Sequence, residues 1–176
     1  MSRRSIIRYL AFGGFIVGAG GSHHWLTRAR DNHGLAINLT LERLSKLDIS
    51  AIENTGSWEV ARTFDHLAQS IEFSMIGFPV MKPKVFRSTV GPLAFSVFQA
   101  RGRMSHGLDE EIPGEIVKIE NTSVEAYEGL LKALESFDAH DGPLKPHFAY
   151  GALDRDQYAI AHVMHINNHL EEFRGV

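Results

Sequence analysis

Three histidines fall within the stretch YAIAHVMHINNHLEEF near the end of the chain: His162, His165 and His169. The stretch otherwise carries the residues of an ordinary helix. A helix turns by about 100° per residue, so side chains four apart stand almost above one another. His165 and His169 therefore present two imidazoles one turn apart, a spacing at which both reach one ion. His162 shares their face, together with Tyr158 and Glu172. The chemistry suggested is divalent-metal binding through nitrogen, with His162 as a supporting group, a proton shuttle or an alternative ligand, and Glu172 and Tyr158 as groups that handle protons or orient a ligand. The competing account is a polar helix edge whose imidazoles are satisfied by neighbours, with Tyr158 in the packing and Glu172 in solvent.

Two histidines do not close a site, and a third ligand must come from a facing helix. His66, in ARTFDHLAQS, is the best placed. Ala61, Phe64, Ala68, Ile71 and Met75 form the main apolar stripe of that segment, and His66 lies to one side with Thr63, Ser70 and Phe73. That is the position of a pocket wall. His106 and His147, in RMSHGLDEEIPG and PHFAYG, sit in loops that can border a pocket mouth. Local hydrogen bonding is their simpler reading.

Composition narrows the chemistry. The chain has no cysteine, which excludes disulfides, thiolate nucleophiles and Cys-ligated zinc. Any metal must rest on histidine and carboxylate. The net charge of −3 and the scattered Lys and Arg offer no basic stripe, so a nucleic-acid partner is not expected. At 176 residues the chain is long enough for one domain with a real core.

The elements that must position the histidines read as helices. Leu35, Leu39, Leu41, Leu44 and Leu47 mark a first one. Ser57, after the turn NTGS, is placed to cap a long helix through WEVARTFDHLAQSIEFSMI, which Gly77 and Pro79 stop. A third is expected from Gly91-Pro92 through LAFSVFQARGRM, followed by a long loop. Thr122 with Glu125 is a capping box that opens a helix with Leu130, Leu134 and Phe137 as its stripe. Asp154 with Gln157 is a second, and opens the histidine helix near residue 155. No convincing strand pair appears, so the expected fold is all-α, a helical bundle.

GSWEVARTFDHLAQSIE, with Trp58 eight residues before His66, resembles the second helix of the DinB/YfiT-like superfamily of metal-binding four-helix bundles. AHVMHINNHLEEF is similar to that superfamily's C-terminal His-x-x-x-His helix. HLAQSIEFSMIGFP, RMSHGLDEEIPG and GPLKPHFAYGALD resemble segments of an uncharacterised bacterial branch of it. The resemblance spans roughly residues 35 to 174. It implies a DinB-like bundle of up-down-down-up type, here with an additional helix and long loops. It also implies a metal triad of His66, His165 and His169, loaded with a divalent ion, zinc or nickel first. Three protein ligands leave open positions for water or substrate, as in catalytic sites. The superfamily includes thiol-dependent transferases, and its bundles often pair, so a homodimer is an expectation as well.

The N-terminus, MSRRSIIRYLAFGGFIVGAGG, places Arg3, Arg4 and Arg8 before a glycine-rich apolar run. The run is short of the roughly 20 residues that span a bilayer. Ser2 to Arg8 closely resembles a twin-arginine signal, which implies export through the twin-arginine machinery, a periplasmic location and no stable membrane insertion. An uncleaved tether is the alternative. The expected division is a signal and connector over 1–30 and the bundle domain over 31–176.

An exported chain leaves the compartment that keeps small thiols reduced, which argues against S-transfer. The sequence therefore favours a metal-dependent hydrolase or lyase acting on a small molecule. The alternatives are a non-catalytic metal- or ligand-binding bundle and a thiol-dependent transferase.

Overall fold

The computed structural model describes residues 35–117 and 120–175. The expectations placed on residues 1–30 lie outside the described residues. The described chain is mostly helical, in the order α1 (Ile37–Leu44), β1 (Glu53–Asn54), α2 (Val60–Ile76), α3 (Lys84–Ser88), α4 (Val90–Arg101), α5 (Ser123–Asp138), α6 (Arg155–Leu170) and β2 (Phe173–Arg174). No helix among the described residues is long and apolar enough to cross a membrane.

Helix starts follow local chemistry. Thr122 accepts from the Glu125 amide while the Glu125 carboxylate accepts from the Thr122 amide, and Asp154 and Gln157 repeat the arrangement at α6. The second of these fixes the phase of the histidine helix. Ser57 does not cap α2. The N-cap is Glu59, two residues further on, in extended backbone and without a side-chain bond. From Ser57 a hydroxyl cannot reach the first free amides of the helix. Gly77 ends α2 at φ 112°, a conformation open chiefly to glycine. Helix α3, a single turn after Pro83, had no periodic signal.

The core lies where α2 faces α5. Phe64, Leu67 and Ile71 meet Leu130, Leu134 and Phe137, with Leu44 of α1 and Tyr158, Val163 and Ile166 of α6 closing it. The periodic stripes of α2 and α5 are thus the buried ones. A smaller cluster, Phe95, Met104, Ala161 and Met164, joins α4 to the other side of α6. A third, Phe73, Phe78 and Ile112, ties the loop before α5 to the end of α2. The turn 147–151 lies over α4: His147 and Gly151 exchange backbone hydrogen bonds of 2.7 and 3.2 Å. Gly91 is required beneath it, because a Cβ there would collide with the Ala149 carbonyl.

Two expectations about the C-terminal end are corrected. The last helix stops at Leu170, and Phe173 and Arg174 pair antiparallel with Asn54 and Glu53, a strand pair too short to show an alternating pattern. Glu172 therefore leaves the histidine face. Its backbone carbonyl accepts from the Thr55 amide, and its carboxylate lies over Gly56.

Candidate metal centre

Helix α2 supplies His66 and helix α6 supplies His165 and His169. The ligand nitrogens of the three lie within 4.8 Å of one another. Their rings form a near-equilateral set, with centroids 5.0 Å (His66–His165), 5.0 Å (His66–His169) and 4.9 Å (His165–His169) apart. His66 and His169 are buried, and His165 borders a cavity. A cation bonded to nitrogen at about 2.0–2.1 Å spans donors about 3–4 Å apart. Small side-chain rotations therefore suffice to close this set around an ion.

Outer contacts decide which nitrogen each ring has to offer. His66 Nδ1 lies 2.8 Å from Glu115 Oε2. A carboxylate only accepts, so Nδ1 carries a proton and Nε2 is the nitrogen that faces the other histidines. Glu115 is itself fixed: its side chain is fully enclosed, Arg62 pairs with its other oxygen, and the Ile112 amide donates to it at 3.0 Å. Burial pushes the Glu115 carboxyl up, but His66, Arg62 and the Ile112 amide outweigh it and hold the group below the usual carboxylate range. A carboxylate behind a ligating histidine is a recurrent support of metal sites.

His165 Nε2 faces His66 Nε2 at 3.2 Å, while its Nδ1 lies 3.0 Å from Ser70 Oγ. Without a cation, His165 satisfies both contacts by donating from Nε2 to His66 and accepting the Ser70 hydroxyl at Nδ1. Were His165 to ligate through Nε2, its proton would sit on Nδ1 and Ser70 would be the acceptor. A hydroxyl serves in either role without moving, so the pair accommodates both states.

His169 has no such outlet. It is 0% exposed, and neither Nδ1 nor Nε2 has a hydrogen-bond partner. An unpaired buried polar atom costs on the order of 1–3 kcal/mol. Burial above all pushes its pKa down to about 3. The ring is neutral and its lone pair is free. Trp58 stacks against it at 5.9 Å and 14°, meets His66 edge-on at 4.9 Å, and carries the Arg62 guanidinium 4.4 Å over its own ring. Trp58 is thus a half-buried wall of the centre rather than plain core.

A cavity of about 220 Å³ opens beside His66 and His165. Its wall includes His106, His147, His162, Met104 and Tyr150, with Lys82, Glu110 and Glu111 also contributing. His162 is fully packed against Phe137 and Tyr158, and its Nε2 lies 3.2 Å from Ser74 Oγ. Because Ser74 donates to the Ile71 carbonyl, His162 Nε2 is the donor and Nδ1 remains for the cavity. Burial lowers its pKa to about 3. Tyr158 is fully buried, donates to the Lys145 carbonyl at 2.6 Å, and does not line the cavity. The structure therefore unites His66, His165 and His169, sets His162 one turn away on the cavity wall with Tyr158 packed behind it, and keeps Tyr158 and Glu172 away from the triad.

The model of the family described as protein of unknown function (DUF1569) matches residues 27–175. The chain belongs to that family. No curated protein and no solved structure matches it.

Glu115, Ser70 and His106 surround the triad without having been singled out for that role. Ser70 had a signal, being one helical turn from His66 on the same flank. Glu115 had none, because it reaches His66 from an irregular loop.

Proposed function

We propose that the chain is a metal-dependent enzyme built on a DinB-like helical bundle, with a divalent ion on His66, His165 and His169, acting as a hydrolase or lyase on a small molecule. The observation that carries the proposal is His169, a neutral, fully buried imidazole with both nitrogens unpartnered, facing two further imidazoles whose Nε2 atoms converge. The donor set fits zinc or nickel: three neutral nitrogens, no thiolate, and a carboxylate one bond further out.

When bound, such an ion acts as a Lewis acid and lowers the pKa of water at its open position. The protein's own part is otherwise. Glu115 holds the His66 proton on Nδ1, so that Nε2 faces inward. Ser70 sets the His165 tautomer. Trp58 and the α6 packing exclude water from the side away from the cavity, and the cavity admits a ligand on the other. His162, kept neutral by burial, offers Nδ1 as an acceptor that orients the ligand. The likeness of Ser2 to Arg8 to a twin-arginine leader supports reading this activity as an exported one.

The test is metal content. Protein lacking residues 1–30 is stripped, reloaded with zinc or nickel, dialysed and analysed by elemental analysis beside His165→Ala. One ion per chain in the native protein and none in the variant is expected. Absence of metal from both, with the fold intact by circular dichroism, overturns the proposal.

A further inference from the structure

We infer that His106 is a fourth nitrogen donor of this centre, carried to it by the loop between α4 and α5. The inference rests on the metal reading above and extends it to a residue outside the triad.

His106 stands 4.9 Å from His165 and 5.2 Å from His169, centroid to centroid. Those separations match the ones inside the triad. It flanks the two α6 histidines rather than His66. Its Nδ1 lies 2.8 Å from the Gly107 carbonyl, which only accepts, so the ring proton is on Nδ1 and the Nε2 lone pair is free. That Nε2 is buried and has no partner. A backbone carbonyl fixing one nitrogen so that the other faces a metal is the usual support of a ligating histidine. His106 thus has the tautomer and the enclosure of a ligand, and its ring stands beside the triad; its nitrogen lies outside the 4.8 Å that groups the other three, so ligation calls for a small inward shift of the loop.

The same loop carries Glu115, which holds His66, and Met104, which packs against Ala161 and Met164 of α6. The loop is therefore tied to both helices of the centre on either side of His106. Four imidazoles fill the coordination of a four-coordinate zinc ion. The activity proposed above would then call for an ion that expands to five donors, as zinc does in catalytic sites.

The experiment uses Co2+ and Ni2+ as probes on the protein, on His106→Ala and on His106→Gln, with His165→Ala as the reference for a lost ligand. His140→Ala is the control, since His140 also buries an unpartnered Nε2 but lies at the end of α5. Affinity is read by competition with a chelating dye, and coordination by the visible d–d bands of the Co2+ form. Loss of a support behind a ligand weakens binding about 10–100-fold. The expected result for both His106 variants is a weakening beyond about 100-fold together with displaced d–d bands, while His140→Ala matches the parent. Superimposable bands overturn the inference, whatever the affinity, and assign His106 to a supporting role or none. If the parent protein binds neither ion, the triad itself fails and the fourth donor with it. If only His165→Ala loses binding, the triad stands and His106 is excluded. Melting curves of the metal-free variants verify that each is folded.

Discussion

Replacing Glu115 with Gln tests whether the His66 tautomer is set for metal binding. The amide keeps the volume and an acceptor oxygen, but it removes the charge that fixes the proton on His66 Nδ1, 2.8 Å away. Arg62 retains Glu111 at 3.3 Å, so the guanidinium is not stranded. The side chain of Glu115 is fully enclosed, so water cannot replace the lost carboxylate. Loss of such a support weakens metal affinity about 10–100-fold, or about 1.4–2.8 kcal/mol. Chelator competition at neutral pH with nickel or zinc measures it directly, and thermal melting of the metal-free form confirms that the fold is kept. An affinity within about threefold of the parent would refute the reasoning, since an idle carboxylate beside His66 predicts that outcome. Complete loss, equal to that of His165→Ala, would refute it in the other direction by making Glu115 a ligand itself.

Two further predictions concern the metal-free protein. The pKa of His162 is depressed to about 3 from an unfolded value of 6.5, so its neutral form stabilises the fold fully above pH 6.5 and progressively less as the pH falls towards 3. At pH 4.5 that residue alone accounts for lost stability on the order of a few kcal/mol. Urea unfolding from pH 7 to 4.5 should show a shallower decline for His162→Gln than for the parent, and parallel declines would contradict the assignment. Leu134→Ala, at a fully buried site where α5 meets α2, should cost about 2–5 kcal/mol in the same assay while leaving nickel affinity unchanged once folded. A change in affinity there would mean that the centre is strained by the core rather than set by its own contacts.

What was legible in the sequence was whatever repeats with a helical period or caps a helix by fixed spacing. Thr122 with Glu125 and Asp154 with Gln157 placed α5 and α6, and the second pair set the phase that brings His165 and His169 to one face. His66 was legible because it flanks an apolar stripe that had to be buried. Three features were not. The α6 terminus at Leu170 depends on Phe173 pairing with Asn54, a contact between residues far apart in sequence and only two residues long. The start of α2 at Glu59 uses no side-chain cap, so Ser57 drew the boundary early. Glu115 and His106 sit in irregular backbone, where no period constrains direction, and only the packing of Met104 and Ile112 carries them to the centre.

The strongest reason to read the cluster as a metal centre is a contrast within one molecule. The fold encloses His147 and His162 and gives each a hydrogen-bond partner. His147 Nδ1 accepts from both the Ala149 and Tyr150 amides at 3.1 Å, and its ring stacks on Tyr150. His162 donates to Ser74 at 3.2 Å. Both are held neutral by burial, with pKa values lowered to about 3, and each has a protein partner that rewards one tautomer. Unpartnered buried nitrogens concentrate elsewhere: three of the five unsatisfied buried side-chain atoms among the described residues belong to His106 and His169. Random imperfection would scatter such atoms through the core, since each one costs free energy wherever it lies. The His106 and His169 rings instead both stand 4.9 Å from His165, beside the carboxylate-backed His66 and the Trp58 ring. An ion held by His66, His165 and His169 would take one of the two His169 nitrogens out of that unpaired state.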